Sequence, residues 1–358
     1  MNLSQRVYAF AKLGDFLLQY SETENKISIS EEINKIHYDS FLRIIKESAY
    51  YNPWFTEENI RFAINAIACN LNYNKLKEWI SDYSINEENQ HSKKIGVLMA
   101  GNVPFVGFHD FLSILISGNK LICKPSSEDS VIPKKIAEIL CDIEPEFKEY
   151  IEFRDGIMKD ADAIIATGSN NSALHFEYYF RNYPHIIRKH RNSIAIINEN
   201  ISSDDLNLLA DDIFTYFGMG CRSVSKVFIP ENFDINMLIQ SFEKFKHYRN
   251  NHRYFNNYEY NKAIYLVNNE KHLDNGFVML KESNTSNSPV SVLFYEYYKS
   301  VDDVIEYINT EEDNIQCIVS DIKGIEGSIP YGYSQRPGLK QYADNIDVMK
   351  FLLNLYKN

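Results

Sequence analysis

The sequence lacks the features of a secreted, disulfide-linked or membrane-spanning protein. Its five cysteines, among 358 residues, show no paired spacing and no C-x-x-C motif, so neither a disulfide framework nor a zinc site is expected. The amino terminus, M-N-L-S-Q-R-V-Y, has no apolar signal-peptide core, and no apolar run approaches the roughly eighteen residues of a membrane span. We therefore expect a cytoplasmic protein without a bound metal.

The chain also lacks a broad basic surface. It has 37 Lys and Arg against 49 Asp and Glu, a formal net charge of -12, whereas nucleic-acid binding requires a basic stripe. Residues 244–260 do interleave Lys and Arg with aromatic residues, as single-strand binders also do. Because Glu259 stands among these cations and a helix pattern precedes them, we favour a solvated helix end over nucleic-acid binding.

Residues 1–85 have the apolar spacing of helices. One stripe comprises Val7, Phe10, Leu13, Phe16, Leu17 and Tyr20, and another, behind Thr56, comprises Ile60, Ala63, Ile64 and Ile67. From Lys94 the pattern alternates between strand and helix, with strands predicted near residues 94–99, 120–124, 150–153 and 162–166. This alternation predicts a doubly wound parallel sheet.

A second alternating series begins near Ser193. Its predicted strands lie near residues 193–198, 226–229, 263–267, 290–295 and 315–320, and its helices near 203–217, 233–247 and 301–310. The polar run 281–289 predicts a long loop. We therefore expect two α/β lobes, one formed by residues 1–190 with 325–358 and the other by residues 191–324.

Cys221 lies in F-G-M-G-C-R-S-V, where a helix pattern gives way to a strand pattern. Gly218 and Gly220 end the helix, and small residues there let a substrate approach the thiol. A thiolate is more reactive than any hydroxyl. Taken alone, a free cysteine is more often a small buried hydrophobic residue, so both interpretations stay open at this point.

Three further motifs follow strands of the first predicted sheet. In A-G-N-V-P, Asn102 stands on a turn whose carboxamide can point at the crevice beyond the strand ends, although Asn beside Gly is also common turn chemistry. Lys124 ends the next strand, where a lysine reaches a ribose or phosphate or is simply solvated. Thr167, Gly168 and Ser169 precede a helix whose free amides suit a pyrophosphate, but G-x-G-x-x-G is absent.

In this order, over roughly residues 94–320, the motifs resemble the aldehyde dehydrogenase superfamily. The matches are Asn102 and Pro104 with the asparagine turn of the oxyanion hole, Lys124-Pro125 with its K-P, Thr167-Gly168-Ser169 with its cofactor turn, and Gly218 to Cys221 with its nucleophile loop. The resemblance implies an aldehyde-dehydrogenase-like α/β fold, in which a cofactor-binding lobe follows a helical N-terminal segment. It also implies that a separate catalytic lobe carries Cys221 as the nucleophile.

Two carboxylates of that superfamily are missing here. Hydrolytic members carry E-L-G-G-K, whose glutamate activates water, where this chain has I-I-R-K-H-R-N-S at 186–193. A second glutamate, in E-I-F-G-P-V, holds the nicotinamide ribose, and residues 285–290 read T-S-N-S-P-V instead. The first absence implies an acyl-enzyme that survives hydrolysis long enough to accept hydride. The second implies a looser grip on the cofactor.

The helical start, F-H-D-F after A-G-N-V-P, and the closing Q-R-P-G-L-K-Q-Y-A-D-N-I-D-V-M-K-F-L resemble the long-chain acyl-CoA reductases, which are related to the reductase subunit of bacterial bioluminescence. That resemblance implies NADPH-dependent reduction of a fatty acyl-CoA, or of another acyl thioester, to the aldehyde. It also implies a homo-oligomer and an acyl-transferring enzyme as a partner. Ser127 fits NADPH, because NAD-preferring relatives often hold a glutamate there that would repel the 2′-phosphate.

Arg188, Lys189, His190 and Arg191 form the densest cationic run of the chain. They are candidate ligands of coenzyme A or cofactor phosphates, with a solvated turn as the equal alternative. Two other functions also stay open. One is an aldehyde dehydrogenase that oxidises free aldehydes, and the other is a non-catalytic subunit of the same fold that binds an acyl group or a partner.

Overall fold

The computed structural model describes residues 1–21, 31–85, 87, 92–156 and 158–356. The chain forms two compact units, and each is described by itself. The first comprises Met1–Lys189 and Pro337–Asn358, and the second comprises His190–Arg336. The sequence placed these boundaries between residues 190 and 191 and between residues 324 and 325, so the chain returns to the first unit later than we expected.

The first unit begins with four helices, and the structure confirms the predicted cap Thr56. They are α1 (Leu3–Leu18), α2 (Glu31–Tyr51), α3 (Glu57–Asn70) and α4 (Tyr73–Ile80). Asn2 and Gln5 form a capping box at the start of α1, and the Thr56 hydroxyl accepts the Asn59 N–H at the start of α3. The predicted apolar stripe of α1 is buried throughout. It packs the helix onto α3 and α4.

A five-stranded parallel sheet forms the core of this unit. Its strands are β1 (Lys94–Leu98), β2 (Lys120–Lys124), β3 (Ile151–Phe153), β4 (Ala163–Thr167) and β5 (His185–Arg188), in the order β3-β2-β1-β4-β5. The connecting helices are α5 (Phe108–Ile116), α6 (Val131–Ile143) and α7 (Asn170–Phe180). The strand order reverses direction beside β1, which creates a crevice beyond the carboxyl ends of β1 and β4. Leu98 pairs with Lys124 on one side and Ala166 on the other, so the three strand ends are level.

The closing segment of the chain belongs to this first unit. Helix α12 (Val348–Asn354) packs against α5. Ahead of it, the Tyr342 hydroxyl accepts the indole N–H of Trp79 at 2.8 Å. The His109 ring contacts the Trp79 and Tyr342 rings edge-on, and its Nε2 lies 3.0 Å from the Leu339 carbonyl. His109 therefore packs the closing segment onto α5, the structural role that its position at the head of this helix suggests.

The second unit contains a six-stranded sheet in the order β11-β6-β7-β10-β9-β8. Its strands are β6 (Asn192–Ile196), β7 (Val224–Pro230), β8 (Leu273–Asp274), β9 (Met279–Glu282), β10 (Val292–Tyr298) and β11 (Ile315–Val319). All neighbours are parallel except β8 and β9. The helices are α8 (Ser203–Phe214), α9 (Ile235–Ser241), α10 (His252–Val267) and α11 (Val301–Thr310), with 3-10 turns at Thr215–Gly218 and Phe242–Asn250.

The strand predicted at residues 263–267 is wrong, because these residues are the last turns of α10. The Asn251 side chain caps this helix by accepting the Tyr254 N–H. Tyr254, Tyr258 and Tyr265 lie on one buried helical face. A five-residue apolar run has the same composition in a buried strand and in a helix end. The helical spacing of the three tyrosines, over a longer stretch of sequence, distinguishes the helix from a strand. The short strands β5, β8 and β9 were not predicted.

Candidate active site

The turn that carries Asn102 follows β1 and leaves this side chain exposed. Gly101 is required there by space, since a Cβ on it would lie 2.7 Å from the Ser126 side chain and 3.1 Å from the Asp129 backbone nitrogen. Phe105 adopts the left-handed conformation (φ 63°), which is uncommon for an aromatic residue. Its N–H donates to Asp129 Oδ2 at 3.3 Å. The loop after β2 therefore holds the shape of the Asn102 turn.

Asp129 is the buried acid of this turn, and the sequence did not single it out. It is 5% exposed and lines a small cavity with Met99, Phe108, Ile136 and other mainly apolar neighbours. Its Oδ1 has no hydrogen-bond partner among the residues that the structure describes. Burial raises the pKa of Asp129 to about 7, an effect that the Phe105 N–H partly offsets.

We expect the difference in the free energy of unfolding between Asp129→Asn and the wild type to shift in favour of the variant as pH rises. The unfolded carboxyl titrates near 3.8 and the folded one near 7, so folding takes up a proton between these values and the wild type loses stability across that window. Each pKa unit corresponds to about 1.4 kcal/mol. Urea unfolding at about pH 4.5 and about pH 8 should show the difference between the two proteins changing by a few kcal/mol. A difference independent of pH would show that the carboxyl titrates normally.

Lys124 and Ser127 lie at the end of β2, beside the Asn102 turn. The Lys124 and Ser127 side chains are both exposed. The Lys124 carbonyl accepts the Met99 N–H at 3.0 Å, which joins the ends of β1 and β2. The β2 end thus presents an ammonium and a hydroxyl, with no carboxylate at position 127.

Thr167, Gly168 and Ser169 connect β4 to α7. The Ser169 hydroxyl caps α7 by accepting the Ser172 N–H at 3.2 Å. A Cβ on Gly168 would lie 2.9 Å from the Ser172 Cβ and 3.0 Å from the Phe176 ring, so only glycine keeps this turn so close to its helix. The turn is partly exposed at the amino end of an eleven-residue helix. The Gly168 N–H donates to the Arg188 carbonyl at 3.3 Å, so a pyrophosphate at this helix start stays a prediction that depends on the helix dipole.

The four cations at 188–191 have different surroundings. Arg188 is buried and pairs with Asp110. Lys189 is exposed, with its Nζ 2.9 Å from Glu177 Oε1, and His190 is also exposed. Arg191 Nη1 donates to the Ile315 carbonyl at 3.4 Å. Arg188 therefore has a partner inside the protein, and a phosphate role for any of the four stays a prediction.

Cys221 lies on a tight turn directly before β7. The Ser223 N–H donates to the Gly220 carbonyl at 2.9 Å, so Cys221 stands at the first central position of a β-turn. The Gly220 N–H in turn donates to the Ser223 hydroxyl. Ser193, on β6, donates to the Cys221 carbonyl at 2.9 Å. The thiol residue is partly exposed while its backbone is fixed from two sides.

The chain ahead of Cys221 has an unusual conformation. Tyr216 and Phe217 are left-handed (φ 57° and 59°), and Gly218 follows with φ 73°. Left-handed aromatic residues are strained and persist only where packing holds them. The Phe217 ring lies 4.3 Å from the Tyr248 ring and 5.7 Å from the Tyr254 ring, centroid to centroid. This packing fixes the path of the chain into the cysteine turn.

Four of the six Phe and Tyr residues of segment 244–260 are buried in the second unit, whereas Tyr260 is exposed. Phe245, Tyr248, Tyr254 and Tyr258 are buried, and a buried ring is not available to stack on a base. Several cations of the segment are exposed, and Lys244 pairs with Asp211 at 2.6 Å. The interleaved pattern is thus explained by packing on one side and solvation on the other.

A second thiol, Cys317, lies beside the Cys221 turn. Its Sγ is 2.9 Å from the hydroxyl of Ser193, the same serine that binds the Cys221 carbonyl. Burial raises the pKa of Cys317 to about 11, so this thiol stays protonated near neutrality. The sequence gives no signal for it, because Cys317 stands in an ordinary apolar strand. Both thiol residues are partly exposed, but the raised pKa of Cys317 argues against it as a nucleophile, so Cys221 is the candidate.

A family model described as Acyl-CoA reductase (LuxC) matches residues 72–318. The chain belongs to this acyl-CoA reductase family. It is therefore an oxidoreductase by family. The match spans the elements that carry Asn102, Lys124, the Thr167–Ser169 turn and Cys221. A comparison with curated proteins finds no match.

Solved aldehyde dehydrogenases share the fold of this acyl-CoA reductase family member. Aldehyde dehydrogenase 21 from Physcomitrella patens, solved with its product succinate, has a TM-score of 0.68 at 11% identity, covering 99% of this chain and 84% of its own. The NAD+ complex from Bacillus cereus has a TM-score of 0.60 at 13% identity, covering 91% and 73%. The NAD+ complex from Mycobacterium tuberculosis has 0.59 at 13%, covering 91% and 75%. The predicted aldehyde-dehydrogenase-like fold is confirmed.

Segments 186–193 and 285–290 of this acyl-CoA reductase family member contain no carboxylate and make basic and polar contacts. Arg188 occupies the end of β5, in the segment where hydrolytic relatives are expected to carry their glutamate. In segment 285–290, the Ser286 carbonyl accepts the Ser225 hydroxyl at 2.6 Å. Asn284 directly precedes this segment, and its carbonyl accepts a hydrogen bond from buried Lys226, which also donates to Glu296. Burial lowers the pKa of Lys226, and its Glu296 partner opposes this effect.

Two further searches cover only the part of the chain that the structure describes. Within it, no three His, Cys, Asp or Glu side chains are grouped so that they could hold a metal ion. No helix in that part is both long and apolar enough to cross a bilayer.

Proposed function

We propose that the protein reduces a fatty acyl thioester, foremost a long-chain fatty acyl-CoA, to the aldehyde and free coenzyme A with NADPH. The observation that carries the proposal is the fixed, partly exposed turn that presents Cys221 ahead of β7. Family membership supplies the substrate class, an acyl-CoA. The level strand ends that carry Asn102, Lys124 and the Thr167–Ser169 turn supply a place for the cofactor.

The first half of the reaction transfers the acyl group to the enzyme. The Cys221 thiolate attacks the thioester carbonyl carbon, a new S–C bond forms, and the carbonyl electron pair moves to oxygen. The Cys221 backbone N–H donates to this oxyanion, and the resemblance to aldehyde dehydrogenases assigns the Asn102 carboxamide to the same role. The electron pair then returns, the bond to the coenzyme A sulfur breaks, and coenzyme A leaves as its thiolate. Cys221 is left as an acyl thioester.

The second half releases the aldehyde. Bound NADPH supplies the hydride that reduces the acyl group. Lys124 and Ser127 are assigned to the adenosine ribose and its 2′-phosphate, and the Thr167–Ser169 turn to the pyrophosphate. Hydride addition to the thioester carbon moves the carbonyl electron pair onto oxygen, and Asn102 is assigned to donate to this second oxyanion. The oxyanion re-forms the carbonyl of the aldehyde as the S–C bond breaks, and the electron pair of that bond returns to the Cys221 sulfur.

The missing glutamate favours reduction of the acyl-enzyme over its hydrolysis. Segment 186–193 contains no carboxylate that could remove a proton from water. Hydrolysis of the thioester is then slow, and the acyl group stays on Cys221 until it is reduced. This feature argues against the alternative of an aldehyde dehydrogenase that releases acids.

A substrate panel tests the proposal. Acyl-CoA thioesters of increasing chain length are assayed with NADPH and with NADH, and the reverse reaction is assayed with aldehyde and NADP+ with and without coenzyme A. We expect NADPH oxidation with long-chain substrates and a reverse reaction that requires coenzyme A. Aldehyde oxidation that ignores coenzyme A would instead identify an acid-forming dehydrogenase.

The absence of a carboxylate at 285–290 favours one second candidate, a subunit that binds an acyl group or a partner without turnover. Fluorescence titration of NADPH discriminates the two functions. Binding below millimolar concentration supports the reductase, and no binding at that concentration supports the non-catalytic subunit.

Acyl carrier protein and a ligase-bound acyl group, offered in place of acyl-CoA, test whether an acyl-transferring enzyme is the physiological donor.

A further inference from the structure

Arg188 and Asp110 form a buried, bidentate ion pair inside the first unit. Arg188 Nη1 donates to Asp110 Oδ2 at 2.6 Å, and Nη2 donates to Oδ1 at 2.8 Å. The two side chains are only 8% and 4% exposed. A planar guanidinium that binds both oxygens of a carboxylate fixes the orientation of each partner. The pair therefore holds the last residue of β5 against the first turn of α5.

The same arginine also contacts the turn at the end of β4. Its Nη1 lies 3.5 Å from Thr167 Oγ1, and its carbonyl accepts the Gly168 N–H at 3.3 Å. The strand register pairs Arg188 directly with Thr167. Asp110, at the other end of the pair, lies just after the turn that carries Asn102. Arg188 thus connects the turn assigned to the pyrophosphate with the start of α5.

Stability alone does not account for such a pair. The free-energy cost of removing two charges from water offsets much of the attraction between them. An apolar pair of similar volume therefore often gives a protein of equal stability. An apolar pair cannot reproduce the directed hydrogen bonds that Arg188 makes to Asp110 and toward Thr167. What the ion pair contributes is therefore a fixed geometry between two turns.

We infer that Arg188 is a positioning residue for the nicotinamide cofactor, because its pair with Asp110 fixes the Thr167–Ser169 turn relative to α5. The start of α7, which directly follows this turn, is then positioned for the pyrophosphate before the cofactor arrives. This inference rests on the proposed NADPH-dependent function. It gives Arg188 an indirect role in place of the direct phosphate contact that the cationic run suggested.

The test replaces the pair by apolar residues of similar size. In an Asp110→Leu/Arg188→Met variant, we expect the Kd for NADPH, from fluorescence titration, to rise about tenfold or more, since small misplacements of aligned groups have effects of that order. Its Tm should stay close to that of the wild type. The matched control, Lys94→Gln/Asp160→Asn, removes the 2.9 Å ion pair at the amino end of β1 together with the Arg154–Asp160 pair, and it should leave the Kd unchanged.

A wild-type Kd in the folded double variant would overturn the inference. If that variant does not fold, Arg188→Lys decides, because it keeps the charge but loses the bidentate geometry. A raised Kd in folded Arg188→Lys supports the positioning role, and an unchanged Kd refutes it. A wild-type protein that binds neither NADPH nor NADH would refute the proposed function itself, whereas equal binding by wild type and variants refutes only this inference.

Discussion

Replacing Cys221 by alanine is expected to abolish acyl-CoA reduction. Without the thiolate there is no nucleophile to form the acyl-enzyme, and no nearby group takes its place, because burial keeps the pKa of Cys317 at about 11. Loss of such a nucleophile in enzymes that work through a covalent intermediate lowers kcat by about 10⁶. NADPH oxidation with a long-chain acyl-CoA should therefore fall to the level of the assay without enzyme.

Cys69→Ala provides the matched control, since Cys69 is an exposed free thiol of the first unit and should be dispensable. NADPH titration of Cys221→Ala should show wild-type binding, which separates loss of chemistry from loss of structure. Substantial reductase activity in Cys221→Ala would remove the covalent mechanism from consideration.

Asn102→Ala is expected to lower kcat by about 10² to 10³, the usual effect of removing one oxyanion donor. The side chain is exposed, so the free energy of unfolding should change little, and the turn itself is held by Gly101 and Asp129. KM should change less than kcat, because the donated hydrogen bond strengthens in the transition state. Steady-state kinetics with saturating NADPH and varied acyl-CoA measure both constants.

Asn102→Asp sharpens this test. The carboxylate has nearly the same shape but repels a developing oxyanion, so its kcat should fall at least as far as that of Asn102→Ala. An Asn102→Asp protein as active as the wild type would show that Asn102 is only a turn residue, the alternative that the A-G-N sequence leaves open.

The sequence was sufficient for most of the regular structure and for the order of the motifs. The strand ends at Leu98, Lys124 and Thr167 were predicted to within one residue, because buried parallel strands are short apolar runs bounded by turn residues. Helix starts at Thr56 and Ser202 could be predicted because their side chains accept orphan backbone amides. These features depend on neighbours along the chain.

Features that depend on distant contacts could not be predicted. Nothing local indicates that Arg188 binds Asp110, 78 residues earlier, so for the run of four cations a phosphate site and a solvated turn stay equal alternatives. The left-handed Phe217 packs on the rings of Tyr248 and Tyr254, and Cys317 approaches the nucleophile turn through Ser193 on another strand. The α10 error has a local origin, because a five-residue apolar run does not distinguish a strand from a helix end, whereas the longer spacing of Tyr254, Tyr258 and Tyr265 does.

The acyl-enzyme is the central claim, and mass spectrometry of the intact protein and of its peptides tests it most directly. The protein is incubated with a long-chain acyl-CoA in the absence of NADPH, quenched in acid and digested. We expect one acyl group per chain, located on the peptide that contains Cys221 and lost when NADPH is added. An unmodified protein, or an acyl group on a different residue, would contradict the account.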